Sequence, residues 1–444
     1  MNAAIVSRFY LIGFIFDPRL ILGFYSNHSA YNSSRIATAR VAAASTGWFR
    51  YSTAFLSETR NMHHETQVTL ARRIFSLLDA GSTDMADTYA RNPVSAYTSS
   101  DQLGRENERL FLDRPLLITA SCRLKAPGDY LTDDLSGVPI LVVRDSAGHL
   151  NAFANACRHR GARIAHGSGS GATSFVCPYH GWGYDTQGRL RTVAPRQAFA
   201  GLAPDQCNLV RLPLVERHGL VWVLPKPDGT TDASTLAPGL DDELASFGFA
   251  GFAHFETRVI RKRINWKLAI DTFLENWHFD KLHRDSIDAT FLPGIALVDR
   301  FGDNMRIVYP RRSILDMRTQ PESQWDLPRH TAIAYVLFPN AIVIWHGDQL
   351  HVWRMFPAHG EATGQSVTEL AFYTPRPATD AQSRNYWTRN LDLAVHVVAN
   401  EDYTVAEDAQ RAYECGMLEF ITFGRHEPAL IYYHERLRQA LAAG

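Results

Sequence analysis

The sequence predicts an α+β fold in which an all-β unit precedes a domain of strands followed by helices that pack on a sheet. Short apolar segments alternate with Gly-containing turns between residues 116 and 225, as is typical of an antiparallel β unit. Further strand-like segments and then a long helical region follow, which is the α+β pattern. Residues 225–239, rich in Pro, Asp, Thr and Gly, form the best linker candidate between the two parts.

Individual elements follow from local patterns. An amphipathic helix is predicted within residues 66–78, because apolar residues recur there at intervals of three and four residues: Leu70, Ile74, Leu77 and Leu78. Residues 82–108 are polar and rich in turns, and a helix with interruptions is predicted over 266–283. Thr379 is a plausible N-cap for a long helical region that runs to about residue 413. The strand candidates are 138–143, 150–153, 211–223, 252–262, 305–309, 332–345, 350–356 and 367–373.

Four segments divide the chain. Residues 1–61 are predicted to be an N-terminal extension. They contain six Arg, no Lys and only two acidic residues, a composition that resembles a transit peptide. We favour the alternative that this extension precedes the true start at Met62. Residues 62–115 are predicted to be a helical segment of the catalytic part, residues 116–225 the β domain, and residues 240–440 the catalytic domain.

The bulk composition excludes several classes of protein. Lys plus Arg (45) nearly equals Asp plus Glu (46), so no basic face for nucleic acid is expected. The apolar stretch over residues 9–25 is interrupted by Asp17-Pro18-Arg19 and is too short to span a membrane. Five cysteines in a chain of 444 residues do not resemble a secreted disulfide framework. We expect a cytoplasmic protein whose paired cysteines hold metal.

Cysteine and histidine are paired twice within the β domain. Cys157 and His159 form a C-x-H pair, and Cys177 and His180 form a C-x-x-H pair after seventeen intervening residues. Two thiolates and two imidazoles suit either zinc or a mixed iron–sulfur cluster. The C-x-H spacing is too tight for a zinc-finger knuckle, whereas a Rieske [2Fe–2S] centre uses two Cys on one iron and two His on the other. The pattern therefore favours a Rieske cluster.

The residues around these ligands carry a family resemblance. Arg160-Gly161-Ala162 and His180-Gly181-Trp182 extend the similarity, and the stretch resembles the Rieske domain of the α (catalytic) subunits of ring-hydroxylating non-haem iron oxygenases. The resemblance covers roughly residues 65–435. It implies that the C-terminal domain is a helix-grip domain, meaning an antiparallel sheet covered by helices, and that this domain holds a second metal, a mononuclear Fe(II).

A second candidate metal motif lies at residues 265–283. His278 and His283 are five residues apart, about 140° around a regular helix, so one ion can bind both only where the helix is distorted. Alone, the segment is as well explained by an ordinary amphipathic helix. The opening Asn-Trp-Lys, an acid and the two His nevertheless resemble the family's iron motif, which implies that His278 and His283 bind iron in a two-His, one-carboxylate triad.

Acidic residues complete the expected site. The resemblance implies that Glu275 bridges the two metal centres, and Asp271, one turn earlier, could share that role. The third iron ligand is expected in the segment Asn400-Glu401-Asp402, where we favour Asp402 over Glu401. Trp277 departs from the family, which often has Tyr before the first His.

The resemblance also implies the reaction and its partners. Electrons would pass from the cluster of one subunit to the iron of its neighbour in a head-to-tail homotrimer, with or without a β subunit, and His180 would face Glu275 of that neighbour. The chain has no dinucleotide fingerprint and no plant-type C-x₄-C-x₂-C run, so a separate flavin reductase, with or without a ferredoxin, must supply electrons.

The substrate is less well defined by the sequence. We expect O₂-dependent hydroxylation of an aromatic or similar apolar compound. The alternatives are oxidation of a quaternary ammonium compound, because the Asp-x-x-x-Glu-x-x-His arrangement resembles that branch, or demethylation. Two further classes compete: a stand-alone Rieske electron carrier, which the His278/His283 segment argues against, and a zinc-stabilised binding module.

Overall fold

A computed structural model describes residues 62–360 and 362–442, and the predicted extension at residues 1–61 lies outside this part. Among the described residues, no helix has the length and apolar character needed to cross a bilayer. The described chain alternates short strands with helices throughout its length.

The strands share an antiparallel arrangement in every pairing described. In chain order they are β1 (Ala90–Pro93), β2 (Leu116–Ala120), β3 (Tyr130–Asp133), β4 (Ile140–Arg144), β5 (Leu150–Ala154), β6 (Ser168–Gly169), β7 (Ser174–Val176), β8 (Gly183–Asp185), β9 (Leu190–Thr192), β10 (Arg211–Leu212), β11 (Leu214–Arg217), β12 (Leu220–Val223), β13 (Ala253–Lys262), β14 (Leu297–Phe301), β15 (Asn304–Pro310), β16 (Thr331–Leu337), β17 (Ala341–Trp345), β18 (Leu350–Pro357), β19 (Ser366–Thr374) and β20 (Phe420–Phe423).

The longer helices lie towards the two ends of the described chain. The α-helices are α1 (His64–Ala80), α2 (Ser95–Thr98), α3 (Ser100–Glu106), α4 (Asp241–Phe247), α5 (Trp266–Asp271), α6 (Phe279–Leu282), α7 (Ile314–Met317), α8 (Ala381–His396), α9 (Tyr403–Glu414) and α10 (Pro428–Ala442). The π-helical turns are Asn107–Leu112 and Val397–Asp402. The 3₁₀ turns are Ser121–Arg123, Arg196–Phe199, Pro204–Cys207, Ala233–Thr235, Phe249–Gly251, Glu322–Gln324 and Leu327–His330.

Small sheets build the N-terminal β domain. One has the strand order β10-β5-β4-β3-β6, a second β7-β8-β9, and a third β11-β12-β2. Cys157 and Cys177 belong to a separate hydrophobic cluster that contains Trp182 and Tyr184 and joins the first two sheets. The loops that carry the predicted cluster ligands are therefore fixed by a core of their own.

The C-terminal domain is built on one seven-stranded sheet of order β13-β19-β18-β17-β16-β15-β14. Because side chains alternate across a strand, Ile342 joins the hydrophobic core that contains α8 and α9, while Val343 joins the core that contains α1. Both faces of the sheet are covered. This confirms the predicted α+β class with an antiparallel sheet covered by helices.

The structure corrects several element boundaries. The single strand expected over 332–345 is two strands, β16 and β17, because Pro339 lacks an amide hydrogen and lies in the turn between them. Asp380, and not Thr379, caps α8, since its carboxylate accepts a hydrogen bond from Ser383 N. Residues 82–108 contain β1, α2 and α3, and β14 was not predicted.

Candidate metal centres and the adjoining cavity

Two similar loops carry the predicted cluster ligands. The carbonyl of Cys157 accepts a hydrogen bond from Gly161 N (2.8 Å), and the carbonyl of Cys177 accepts one from Gly181 N (3.0 Å). Both glycines have positive φ, 78° and 71°, a conformation that other residues adopt only at a cost. Each loop thus turns back on itself and presents its Cys and His together.

The polar atoms of these loops fit an iron–sulfur cluster. The rings of His159 and His180 lie 4.6 Å apart between centroids, and the Nδ1 atoms of both are buried without a hydrogen-bond partner. Buried polar atoms rarely remain unpaired in proteins. Two free thiols, Cys157 and Cys177, are buried in the same core, so the donor set matches the two-sulfur, two-nitrogen chemistry of a Rieske cluster.

Two aromatic side chains support this centre: Trp182, which the sequence analysis noted only as part of the family motif, and Tyr184, which it missed. Trp182 stacks on the His159 ring, with centroids 5.0 Å apart and planes 8° from parallel. The Tyr184 hydroxyl lies 3.4 Å from Cys157 Sγ and accepts a hydrogen bond from Arg158 N at 3.0 Å. A hydroxyl that donates to a ligand sulfur affects the charge on the cluster, which is one determinant of its potential.

The helical segment that carries His278 and His283 is broken, as the five-residue spacing required. The helix α5 ends at Asp271, and the next helix, α6, has only four residues, so that His278 precedes it and His283 follows it. The two imidazole centroids lie 4.9 Å apart. The interruption brings together two rings that a regular helix would place on different faces.

A π-helical turn brings the third residue to this site. The turn Val397–Asp402 lies between α8 and α9, and such turns often occur at functional sites because the extra residue changes the direction of side chains. Asp402 Oδ1 lies 3.3 Å from His278 Nε2 and 3.1 Å from His283 Nε2. Among the described residues, His278, His283 and Asp402 form a group that could hold a metal ion, because their ligand atoms all lie within 4.8 Å of one another.

Two further carboxylates hold the far nitrogens of the imidazoles. Glu275 forms a short hydrogen bond with His278 Nδ1, and Glu401 pairs with His283 Nδ1 at 2.6 Å. Ser286 Oγ donates to the same Glu401 oxygen at 2.7 Å. Carboxylates in this position fix the ring orientation and leave Nε2 for a metal. The role of Glu401 behind His283 was missed, since only its ligand role was considered.

The local charge balance fits a cation at this point. Burial lowers the pKa of His278, but the hydrogen bonds that its imidazole donates to the carboxylates of Asp402 and Glu275 outweigh this effect and raise the pKa to about 10. Two carboxylates thus favour positive charge between them. A divalent cation bound by His278, His283 and Asp402 meets the same electrostatic demand.

Asp271 lies elsewhere. Its carboxylate accepts a hydrogen bond from the Tyr97 hydroxyl (2.6 Å) and pairs with His434 Nε2 (2.8 Å). Both contacts are buried and link α5 to α2 and α10. The expectation that Asp271 shares the role of Glu275 beside His278 is therefore wrong. Asp271 is the last residue of α5, before the helix break, and its carboxylate points into the helical core and not towards His278.

The Asn-Trp-Lys opening of the motif anchors α5. Asn265 caps the helix by accepting from Lys267 N at 3.0 Å. Lys267 Nζ donates to both oxygens of the buried Glu106 at 2.7 Å, and Trp266 Nε1 donates to the same carboxylate at 2.8 Å. These residues hold the start of the iron motif against α3 and do not reach the three-ligand group.

A mostly apolar cavity adjoins the three-ligand group. The space that it encloses, including its open mouth, is about 850 Å³. Ala332 and Ala334 on β16 form part of its floor, and their small side chains leave room that larger residues would fill. The other apolar lining residues are Phe273, Phe279, Ile287, Phe291, Tyr309, Ile344, Leu393, Ala394, Val397 and Val398.

The fold and the two ligand sets define a class of proteins that combine a Rieske domain with a mononuclear non-haem iron domain. Comparison with protein families agrees: residues 114–204 match the Rieske [2Fe-2S] domain, and residues 249–443 match the ring hydroxylating alpha subunit (catalytic domain). The described chain thus carries both domains that are typical of the family of Rieske-type ring-hydroxylating oxygenase α subunits. The cofactors of this family are a Rieske cluster and a mononuclear iron.

Curated relatives include enzymes of two kinds. The chain is 31% identical over 221 residues to the biphenyl 2,3-dioxygenase α subunit of Rhodococcus jostii (48% of each chain). It is 30% identical over 220 residues to the carnitine monooxygenase oxygenase subunit of Escherichia coli K12 (48% of this chain, 56% of the relative). The chain therefore spans about half the length of the curated relatives it matches.

Solved structures share the fold. The quaternary ammonium Rieske monooxygenase CntA in complex with an inhibitor aligns with a TM-score of 0.68 and 19% identity, covering 80% of this chain and 96% of that one. Naphthalene 1,2-dioxygenase from Rhodococcus sp. bound to indole aligns with a TM-score of 0.61 and 17% identity, covering 85% and 98%. These likenesses support the α+β fold with its two domains.

Proposed function

We propose that this chain is the oxygenase component of a multicomponent Rieske system that hydroxylates an aromatic or similar apolar compound with O₂. The observation that carries the proposal is the position of His278, His283 and Asp402 in the lining of an apolar cavity. A two-His, one-carboxylate group leaves coordination positions open on one side. Here that side has room for a small organic molecule.

The contacts of both candidate metal centres support an assignment of the ligands. Cys157, His159, Cys177 and His180 would hold the [2Fe–2S] cluster, and His278, His283 and Asp402 would hold Fe(II). When bound, the cluster supplies single electrons and the iron supplies O₂ activation. The carboxylates of Glu275 and Glu401 fix the Nδ1 side of the two imidazoles, which keeps both Nε2 atoms directed at one point.

Glu275 is proposed to have a second task at a subunit boundary. Its side chain is 15% exposed, so it combines contact with His278 and access from outside. The neighbouring Trp277 is 43% exposed, and Tyr179, beside His180, is 57% exposed. Exposed aromatic residues at each metal centre support a homotrimer in which His180 of one subunit meets Glu275 of the next.

The variant Glu275→Gln tests this role. The amide keeps the size of the side chain but cannot accept a proton or match the charge of the imidazole. We expect both metals to be retained, by absorption and iron analysis, while turnover falls at least 100-fold. Asp280→Asn, a change at an acid of the same segment whose side chain contacts Lys281, is the matched control and should retain activity. Full activity of Glu275→Gln would contradict the bridging role.

Electrons are proposed to come from a separate flavin reductase, with or without a ferredoxin, in the cytoplasm. Arg158 and Arg160 are exposed beside the cluster loops and offer positive charge to an acidic carrier, and charge complementarity of this kind raises association rates. Whether a β subunit joins the assembly is answered by the mass of the purified complex.

A quaternary ammonium substrate is the competing proposal. Phe273, Tyr309 and Trp353 among the cavity residues are the side-chain types that bind a cationic ammonium group, and the carnitine monooxygenase subunit is among the relatives. Reductase-dependent O₂ uptake, measured with aromatic acids, polycyclic hydrocarbons and betaines, separates the proposals. Uptake coupled to product with betaines alone would overturn the aromatic substrate, and uptake with none of the compounds would contradict both.

A further inference from the structure

Four polar side chains form one part of the cavity lining, which we call the polar wall: Gln349, His351, Trp353 and Asn390. Their relative exposures are 2%, 4%, 1% and 5%. Each carries a buried polar atom without a hydrogen-bond partner, namely Gln349 Oε1, His351 Nε2, Trp353 Nε1 and Asn390 Oδ1. None of them belongs to the metal centres.

The fold brings these residues together from distant segments. His351 and Trp353 lie two residues apart and therefore on the same face of β18. Gln349 directly precedes that strand. Asn390 lies on α8, which covers this face of the sheet. The polar wall is therefore formed jointly by the sheet and the helix.

The chemistry of two atoms is fixed. Asn390 Nδ2 donates to the carbonyl of Tyr386 at 3.0 Å, so the amide orientation is set and Oδ1 is a free acceptor. The indole N–H of Trp353 can only donate. Burial lowers the pKa of His351 to about 3, which keeps this imidazole neutral at physiological pH. The wall thus offers at least one donor and one acceptor without a charge.

Leaving such buried polar atoms unpaired is unfavourable. In a cavity the partners are either ordered water or the occupant. The lining residues among the described part of the chain include no Lys or Arg, and the lining carboxylates, Glu275 and Asp402, belong to the iron site. The buried Arg311 donates to the carbonyl of His346 at 3.1 Å and is not a lining residue.

We infer that the substrate is an aromatic compound with an uncharged hydrogen-bonding substituent, such as a phenolic hydroxyl, a carboxamide or a ring N–H, which pairs with the polar wall. The inference rests on the proposed function and narrows its substrate class. A carboxylate would meet the free oxygen of Asn390 without a lining cation to pair with it. A quaternary ammonium group has no hydrogen to donate and would leave the wall unpaired.

The test uses four naphthalene derivatives of similar shape: naphthalene, 2-naphthol, 2-naphthoate and a 2-naphthyl trimethylammonium salt. Dissociation constants are measured by calorimetry on the metal-loaded enzyme under anaerobic conditions at pH 7, where the naphthol is neutral. We expect 2-naphthol to bind about tenfold or more tightly than each of the others, since one satisfied buried group is worth about that factor. Equal affinities, or no binding by any of the four, would overturn the inference.

Variants assign the preference to the polar wall. Trp353→Phe removes the donor and Asn390→Leu removes the acceptor, and each should reduce the preference for naphthol over naphthalene severalfold. Val398→Ala, a change in the apolar lining, is the control and should weaken both ligands while their ratio is kept. An unchanged ratio in both wall variants, with unfolding midpoints like that of the parent, would refute the role of the wall.

Turnover separates this inference from the proposed function. If 2-naphthol binds preferentially but no ring compound is oxidised with reductase and O₂, the substrate preference stands and the proposed hydroxylation fails. If naphthalene and 2-naphthol bind equally and both are hydroxylated, the proposed function stands and the polar wall is satisfied by water.

Discussion

Breaking the buried ion pair at the start of the iron motif is expected to destabilise the fold strongly. Lys267 and Glu106 have side-chain exposures of 1% and 0%, and Lys267 Nζ lies 2.7 Å from both carboxylate oxygens. Burial lowers the pKa of Lys267 more than the negative charge of Glu106 raises it. Each buried charge is therefore stabilised by the other.

Removing one partner leaves the other charge buried. In the variant Lys267→Met, the Glu106 carboxylate keeps only neutral donors, Trp266 Nε1 at 2.8 Å and Gln102 Nε2 at 2.9 Å. Breaking a buried pair in this way costs about 3–5 kcal/mol. The double variant with Glu106→Gln should recover part of this loss, because no unpaired charge remains.

Urea unfolding measures these changes, with tryptophan fluorescence and the visible absorption of the cluster as separate probes of the two domains. Lys226→Met is the control, since its Nζ also lies 2.7 Å from an acid, Asp113, but its side chain is 55% exposed. Exposed pairs contribute little, so its midpoint should not move. The reasoning is refuted if Lys267→Met unfolds at the same urea concentration as this control, or if the double variant loses the full sum of the single losses.

Three further outcomes follow from individual contacts. His351 has a folded-state pKa of about 3 against an ordinary value of 6.5, so the unfolded chain binds its proton first and stability is lost as pH falls below 6.5. The loss is roughly 3 kcal/mol at pH 4, and His351→Gln should show an acid destabilisation smaller by that amount in urea titrations. Tyr184→Phe removes the hydroxyl 3.4 Å from Cys157 Sγ; a hydrogen bond to sulfur favours the reduced cluster, so a redox titration should show a lower potential, and an unchanged value would contradict that contact. Asp402→Ala should reduce iron from about three to about two per chain while the cluster absorption persists; retention of all the iron would exclude Asp402 as a ligand.

The ligand motifs could be found in the sequence because their chemistry is local. Cys157 and His159 lie in one loop, and Cys177 and His180 lie in a second loop of similar geometry, so the spacing alone reports the donor set. The five-residue spacing of His278 and His283 even required the helix break that the structure shows. In the seven-stranded sheet, β13, β15, β18 and β19 were predicted to within one residue at each end, whereas β16 and β17 were merged and β14 was missed. Most strands of this sheet are buried on both faces, and the alternation that marks a half-exposed strand is therefore absent.

Contacts between distant segments could not be predicted in the same way. Lys267 meets Glu106 across 161 residues, and Asn390 reaches the cavity from a helix whose own pattern gives no reason for a buried amide. The unpaired atoms of the polar wall are a property of the packed cavity and not of any spacing. Substrate preference is therefore the part of the function that required the structure.

The choice between Glu401 and Asp402 shows how a small change in helix geometry divides two roles. Adjacent residues on a helix differ by about 100° in direction, so only one acid of the pair can face the cavity. In the π-turn, Asp402 Oδ1 lies 3.1 Å from His283 Nε2, while Glu401 lies 2.6 Å from Nδ1 of the same ring. The two acids thus contact opposite nitrogens of one imidazole, so that Glu401 fixes the tautomer of that ring while Nε2 lies on the side where we propose that iron binds. An acidic pair in this position serves both functions, and a single acid could serve only one.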